Sequence, residues 1–320
     1  MAPWRFEPMT VGRILDRAFR LYRENFLRYV TIAAVVQVPA GLLVVAGTGI
    51  MYSNFTNVAR TNQVPEDVVT MMVGAMTMMS GGFLAFVSFV LAIAAMARSM
   101  SASCLGGDLG AVQAYRSLMP RAGWLFLMVL LVMPSLFVVY IALVVVMVVI
   151  VVLGIAEGAA GLGPVVMVTS IGLVTLVAIA ACGVLLLAWT VVFCLSVQAV
   201  ALEDLNTFEA IARSVKLVRG NLRKCLGSAL LTFLLVGIPI VAASSLGFVL
   251  AFAVFGYTNM MAMQVIQQSV SLFMQVLVMP IWAAAMLLLY YDLRIRKEGY
   301  DLELLAGSLR PAEAAHGASR

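Results

Sequence analysis

The chain has 320 residues, of which 63% are apolar and only 11% are charged, and its mean hydropathy is +1.07. A soluble domain carries roughly 25% charged residues, and no water-facing fold can hide apolar runs as long as 124–153 and 164–200. This composition excludes soluble enzymes, nucleic-acid-binding domains and disordered proteins. The net charge of +5 therefore has to be interpreted by where the charges fall relative to a bilayer.

Six segments are long and apolar enough to cross the hydrocarbon layer, which takes about 20 residues at 1.5 Å per residue. They lie at about 29–52, 70–97, 124–153, 164–198, 226–255 and 263–291, joined within pairs by short or polar links at 53–69, 154–163 and 256–262. Prolines 39, 134, 239 and 280 fall inside four spans, and each predicts a bend. The Gly81-Gly82 pair indicates a helix break. The N-terminal sequence has no cleavage site after a short apolar core, so we expect the first span to be retained as an anchor.

A basic stretch precedes each odd-numbered span, at residues 10–28, 108–122 and 207–224. Shifting the sequence by 196 residues aligns Arg17 with Arg213 and Asn25 with Asn221, and Arg116 occupies the equivalent position in the middle stretch. The pattern predicts an amphipathic basic helix followed by a transmembrane hairpin, used three times at about 10–100, 108–200 and 207–293. The predicted fold is an all-α, polytopic bundle of six transmembrane helices in one membrane domain, 1–306. Residues 307–320 are expected to form a disordered cytoplasmic tail.

The first basic stretch has its apolar residues at helical spacing, from Ile14 through Ala18 to Leu21, with arginines on the opposite face. That pattern is typical of a helix lying in the membrane interface with its apolar face toward lipid. A helix packed on the ends of its neighbours, with solvated arginines, gives the same pattern. The sequence leaves both arrangements open.

The cations fix the expected orientation. On the six-span model 19 of the 20 Lys and Arg residues fall on one side of the bilayer, and only Arg60 falls on the other. The positive-inside rule then predicts that both termini and all three basic helices are cytoplasmic.

Catalytic and metal-binding patterns are absent from the sequence. The only histidine is His316, in the polar tail, and no nucleotide-binding glycine loop occurs. An enzymatic site would require Asp16, Glu203 and Asp204 to converge on one pocket. We therefore expect a protein that is not an enzyme and has no cofactor.

Glutamines 264, 268 and 275 share a face of the sixth span, and they indicate either a polar pathway or hydrogen bonds between packed helices. A cluster of methionines near the start of the second span favours core packing over a soft-metal site.

The segments 14–26 (ILDRAFRLYRENF) and 290–303 (YYDLRIRKEGYDLE) resemble the ends of a bacterial integral-membrane family. This family is named for the membrane domain of glycerophosphoryl diester phosphodiesterase and also occurs as stand-alone proteins. The resemblance implies a multi-pass protein of the bacterial plasma membrane, linked to lipid or envelope metabolism. The hydrolytic domain of the fused enzymes has no counterpart in this chain, so the resemblance implies no activity.

Two functions are compatible with these patterns. The first is an accessory or scaffold role in which the basic helices bind membrane lipids, above all anionic ones, or a membrane or cytoplasmic protein; nucleic acid is not an expected partner. The second is a permease component for a lipid-like or hydrophobic solute. The predicted lipid or partner contacts are Arg13, Arg17, Arg20, Arg23, Arg116, Arg213, Lys216, Arg219, Arg294 and Arg296.

Overall fold

The computed structural model describes residues 8–61, 68–159 and 164–299, and within these ranges the chain is helical without a strand. The helices are α1 Val11–Glu24, α2 Phe26–Thr61, α3 Val68–Cys104, α4 Ala111–Leu118, α5 Ala122–Ala159, α6 Pro164–Glu203, α7 Thr207–Val218, α8 Leu222–Phe255 and α9 Met260–Glu298. Short 3-10 turns at Met119–Arg121 and Gly256–Asn259 lead into α5 and α9. The predicted tail 307–320, with His316, lies outside the described residues, as do Arg5 and the links at 62–67 and 160–163.

Six of these helices, α2, α3, α5, α6, α8 and α9, are long and apolar enough to cross a membrane. This confirms the predicted all-α class and the six candidate spans. The helices have 34 to 40 residues and are therefore about 51–60 Å long at 1.5 Å per residue. Since the hydrocarbon layer is about 30 Å thick, each helix must tilt or extend past it.

The structure corrects two details of the prediction. Residues 53–61 and 154–159, predicted as links, continue α2 and α5. Gly81 and Gly82, predicted as a helix break, lie inside α3. A Cβ atom on Gly81 would approach the backbone nitrogen of Val44 to 2.8 Å, so this glycine lets α2 and α3 pack closely. That packing offsets the cost of about 1 kcal/mol for a glycine within a helix.

The short helices α1 and α7 each begin with a side-chain cap. The Thr10 hydroxyl accepts a hydrogen bond from the Arg13 amide at the start of α1. At the start of α7, Asn206 and Glu209 exchange side-chain-to-backbone hydrogen bonds of 2.9 and 3.3 Å, which is a capping box. These caps fix where each short helix begins before it packs on its neighbours.

Helix α9 is the centre of the bundle. From Val276 to Leu293 all but one of its residues are buried, and α1, α2, α3, α6, α7 and α8 all contact it. In the most apolar 18-residue segment of each helix, 67% of the residues are buried in α9, but only 12% in α6 and 6% in α8. One side of the bundle, formed by α6 and α8, therefore leaves much of its apolar surface uncovered by protein.

Polar contacts gather the starts of α2, α5 and α8 and the ends of α3, α6 and α9 at one end of the bundle. For example, Tyr29 of α2 donates a hydrogen bond to Ser103 of α3 at 3.3 Å, and Ser101 of α3 lies 2.7 Å from the Tyr291 hydroxyl of α9. The short helices α1, α4 and α7 pack at this same end. We call it the basic end, because most of the cations of the chain lie there.

Candidate functional site

A fully buried carboxylate ties three helices together at the basic end. Asp292 of α9 has no exposed side-chain surface and forms ion pairs with Lys224 of α8 and, at 3.0 Å, with Arg296. It also accepts a hydrogen bond of 2.6 Å from the backbone amide of Met9, which precedes α1. Lys224 in turn donates to the Met9 carbonyl at 2.6 Å. The Asp292 carboxylate thus has three hydrogen-bonding partners, as a buried charge requires.

A second cluster joins α6, α7 and α9. Glu203 pairs with Arg213 and, at 3.3 Å, with Arg294, and it accepts a hydrogen bond from the Tyr290 hydroxyl. Glu298 pairs with the same two arginines at 2.9 and 3.4 Å. Burial acts to lower the pKa of Arg213, but the hydrogen bonds of Tyr290 and Glu203 and the carboxylate charges outweigh it and raise that pKa. Arg213 is therefore held as a cation inside the fold.

A third cluster caps the end of α6. Arg98 of α3 donates to the Ala201 carbonyl at 2.7 Å and to the Ser117 carbonyl at 2.8 Å, and Arg121 donates to Ala201 at 3.1 Å. Both arginines also pair with Asp204, which has a left-handed backbone (φ 60°) just after the helix. Cations at the carbonyl end of a helix stabilise it. The sequence placed both arginines on the basic side but gave no signal for this capping role.

The structure divides the predicted contact residues into two groups. Arg213, Arg294 and Arg296 belong to the internal clusters, and Arg17, partly buried, donates to the Met9 sulfur at 3.3 Å. Six others are exposed, with no ion pair to another described residue: Arg13, Arg20, Arg23, Arg116, Lys216 and Arg219. We call these six the surface cations.

The question of how α1 packs is answered by its burial. Ile14, Ala18 and Leu21 are at most 2% exposed, and α1 packs chiefly on α9. The apolar face that the sequence identified is thus covered by protein, which is the packed arrangement rather than the one with that face in lipid. The Tyr22 hydroxyl strengthens the contact by donating to the Leu277 carbonyl at 2.8 Å.

Large apolar side chains nevertheless stand among the surface cations. On α1, Phe19 is 49% exposed, four residues before Arg23; on α4, Val112 is 78% exposed, four residues before Arg116. On α7, Phe208 is 62% exposed, and Val215, next to Lys216 in the chain, is 46% exposed. The pairs on α1 and α4 each share one outward face of their helix, because residues four apart lie above one another. Apolar side chains next to cations are typical of a surface at the membrane interface.

The carboxylates of the enzymatic hypothesis are not gathered into a pocket. Glu203 and Asp204 are paired with different arginines, and Asp16 is exposed on α1. None of the three lines the cavity described below. Among the described residues, no group of three or more His, Cys, Asp or Glu side chains is arranged to hold a metal ion.

A cavity of about 600 Å³ lies between α3, α6, α8 and α9. It is lined by Phe89 of α3 and by residues within 183–190 of α6, 230–240 of α8 and 275–282 of α9. The lining is almost entirely apolar, with the Thr190 hydroxyl and the Gln275 amide as its polar side-chain groups apart from Trp282. No hydrogen bond to the Gln275 amide is formed by residues 8–61, 68–159 or 164–299. The cavity is large enough for a small molecule or a lipid chain.

The amides at depth take different roles. Gln198 of α6 is fully buried and can donate to the Met286 carbonyl at 3.0 Å and accept from the Leu287 amide at 2.9 Å, so it links α6 to α9. Across α8 and α9 the two hydroxyls of Ser244 and Ser271 are 2.8 Å apart. These contacts represent the interhelical hydrogen bonding expected of polar groups in a bundle. Gln275, by contrast, faces the cavity.

Comparison with known proteins identifies a family without assigning a role. A family model described as a domain of unknown function, DUF7847, matches residues 117–293, which is more than half of the chain and covers α5 to α9. No curated protein and no solved structure matches the chain. The match includes Glu203, Arg213 and Asp292 of the internal clusters and most of the cavity lining. The chain therefore belongs to the DUF7847 family.

Proposed function

We propose that this protein is a non-enzymatic, multi-pass protein of the plasma membrane whose basic end faces the cytoplasm and binds anionic lipid headgroups. The observation that carries the proposal is the set of six surface cations standing beside exposed apolar side chains on α1, α4 and α7. A role in bacterial lipid or envelope metabolism, as accessory or scaffold, rests on the resemblance of residues 14–26 and 290–303 to the glycerophosphoryl diester phosphodiesterase membrane-domain family.

The charge distribution supports the orientation. With 19 of 20 cations on one side of the six spans, the positive-inside rule favours both termini in the cytoplasm. A cysteine replacing Val112 would test this, because that side chain is 78% exposed on α4. In a background with Cys182→Ala, we expect a membrane-impermeant thiol reagent to label Val112→Cys in inverted vesicles and not in intact cells. Labelling in intact cells would show that the basic end faces outward, which is the opposite of the proposed orientation.

The magnitude of lipid binding follows from the number of cations. Each Lys or Arg close to an anionic surface contributes about 1 kcal/mol, and salt screens this within about 10 Å at 0.1 M. Arg20, Arg23, Lys216 and Arg219 are exposed and unpaired within the described ranges, so changing all four to glutamine removes about 4 kcal/mol of attraction at low salt. The fold itself should not suffer, since none of the four side chains belongs to an internal cluster.

The test is the stabilisation of the detergent-purified protein by phosphatidylglycerol compared with phosphatidylcholine. We expect phosphatidylglycerol to raise the melting temperature of the natural protein more than phosphatidylcholine does, and the quadruple glutamine variant to lose that difference. The control is Asp16→Asn with Glu24→Gln, which removes two exposed acidic groups from α1 and should increase the difference. Equal responses of all three proteins would contradict the proposal.

The cavity supports a second candidate, a permease component for a lipid-like solute. Such a protein reconstituted alone in vesicles should speed the transbilayer movement of a fluorescent lipid, and filling the cavity at Gly183 should stop it. If the fluorescent lipid crossed the bilayer no faster in these vesicles than in protein-free ones, lipid transfer by this protein alone would be excluded. The scaffold role can also consist of binding a soluble protein. A protein that binds the natural chain but not the quadruple glutamine variant would favour this form of the role.

A further inference from the structure

The cavity between α6 and α8 has a closed floor and an open side. Its floor is formed by α9, where Met279 and Trp282 are 3% and 8% exposed. On α8, by contrast, Leu230 and Phe233 are 45% and 55% exposed although they line the same cavity. The opening is therefore at the edge of α8, on the apolar flank of the bundle. A molecule would enter sideways, from the direction of the surrounding bilayer.

The cavity lies halfway along the membrane-spanning helices. Gly247 of α8 is next to Val270 of α9, and Ser244 is hydrogen-bonded to Ser271, so the lining segments 230–240 and 275–282 face each other near the middle of these antiparallel helices. Pro239 and Pro280 lie inside the same two helices. Each proline removes an intrahelical hydrogen bond and bends its helix. Both prolines lie within the segments of α8 and α9 that line the cavity.

We propose that this cavity binds one hydrocarbon chain of a membrane lipid, inserted between α6 and α8. Leu230 and Ile240, which are ten residues apart, give the cavity a length of about 15 Å, which is half of a hydrocarbon layer of about 30 Å. The lining offers a charged molecule no opposite charge and, apart from the Trp282 indole, only two polar groups, the Thr190 hydroxyl and the Gln275 amide, whereas a methylene chain matches the apolar remainder. Among the described residues, the buried indole N–H of Trp282 has no oxygen or nitrogen acceptor. Its nearby partner is the thiol of Cys194, which accepts hydrogen bonds only weakly.

This site does not depend on the surface cations. No Lys or Arg side chain lines the cavity, so chain binding should be equally good in a purely zwitterionic lipid. The proposed headgroup binding at the basic end could fail while the cavity still held a chain, and the reverse is also possible. The two proposals can therefore be tested separately by choosing the lipid.

Gly183 of α6 provides a direct way to fill the cavity. It lines the cavity, and a Cβ atom placed on it would meet no atom of another described residue outside its own stretch of helix within 4 Å, so a phenylalanine side chain there has room to extend into the cavity. Gly172, three helical turns away on the same helix, is equally unobstructed but does not line the cavity. Gly183→Phe and Gly172→Phe are therefore matched variants with the same change in helix propensity.

The experiment measures whether lipid chains reach Trp282. In a variant whose other tryptophans are changed to phenylalanine, the protein is reconstituted into phosphatidylcholine carrying bromine at the middle of its chains. Because Trp282 is 8% exposed, annular lipid has little contact with it, and we expect bromine to quench its fluorescence mainly from inside the cavity. We expect quenching in this protein and with Gly172→Phe, and loss of quenching with Gly183→Phe.

Unquenched Trp282 fluorescence, or equal quenching in both glycine variants, would overturn the proposal. A second measurement keeps it testable if the single-tryptophan variant does not fold. In native mass spectrometry with phosphatidylcholine, Gly183→Phe should retain one lipid fewer than Gly172→Phe, and equal retention would also overturn it. If instead Gly183→Phe turned a dimer into a monomer at unchanged lipid retention, a second copy of the chain would fill the opening and the proposal would be wrong.

Discussion

The buried carboxylate Asp292 offers the sharpest test of how the basic end is held together. Changing Asp292→Asn removes the charge but keeps the shape, and leaves the Lys224 ammonium group hydrogen-bonded to the Met9 carbonyl. The Asp292 side chain is 0% exposed and the Lys224 side chain 18%, so this is a buried pair. Removing one partner of a buried pair costs about 3–5 kcal/mol. We expect the lower end, since asparagine can still accept the hydrogen bond from the Met9 amide.

The contact of Asp292 with Arg296 adds little to that figure, because the Arg296 side chain is 37% exposed and solvent screens it. The matched control is Asp108→Asn. Asp108 also pairs with an arginine, Arg28, but its side chain is 74% exposed, so the control should cost under about 1 kcal/mol. The two variants make the same chemical change and differ mainly in burial.

The free cysteines supply the assay. Cys104, Cys194 and Cys225 are buried, while Cys182 is partly exposed, so in a Cys182→Ala background a thiol-reactive dye reports only opening of the bundle. We expect Asp292→Asn to react at a clearly lower temperature than Asp108→Asn. Adding Lys224→Gln to Asp292→Asn should recover part of the loss, since the unpaired buried cation is then removed. Equal midpoints for the two single variants would refute the reasoning.

Two further predictions concern the packing of α2 on α3 and the dependence of stability on pH. Gly81→Val should destabilise the bundle by about 1–3 kcal/mol through overpacking, because a Cβ there lies 2.8 Å from the Val44 nitrogen, whereas Gly82→Val, with open space around its Cβ, should change the thiol-reaction midpoint little. Burial raises the pKa of Tyr22 above 10.0, so the stability that this tyrosine contributes is present below pH 10 and declines as the pH rises through its folded-state pKa. Tyr22→Phe should lessen the alkaline decline of the protein and remove about 1 kcal/mol with the hydrogen bond to Leu277. A decline unchanged in Tyr22→Phe would contradict this assignment.

The sequence predicts much of the fold because hydropathy and helix length are local properties. The six long helices follow from apolar runs, and α1, α4 and α7 coincide with the three basic stretches. The prolines at 39, 134, 239 and 280 do not end their helices, as expected for bends in a membrane-spanning segment whose freed backbone groups find other partners. The prediction of a helix break at Gly81-Gly82 was wrong, because the glycine at 81 serves close packing against α2, which local sequence does not reveal.

The candidate site was less predictable, since its parts come from distant positions in the chain. Periodicity identified the apolar face of α1 but could not tell that α9, rather than lipid, covers it. Charge alone made Arg213 and Arg20 equivalent, yet one is enclosed by Glu203 and Glu298 and the other is exposed. The cavity had no sequence signal at all, because it results from the relative placement of four helices.

The central claim is that the exposed cations of the basic end hold anionic lipid, and native mass spectrometry of the protein extracted from its own membrane tests it most directly. We predict that anionic lipid remains bound to the natural protein and is lost from the variant in which Arg20, Arg23, Lys216 and Arg219 are glutamine. Retention of the same anionic lipid by both proteins, or of zwitterionic lipid alone by the natural one, would contradict the account.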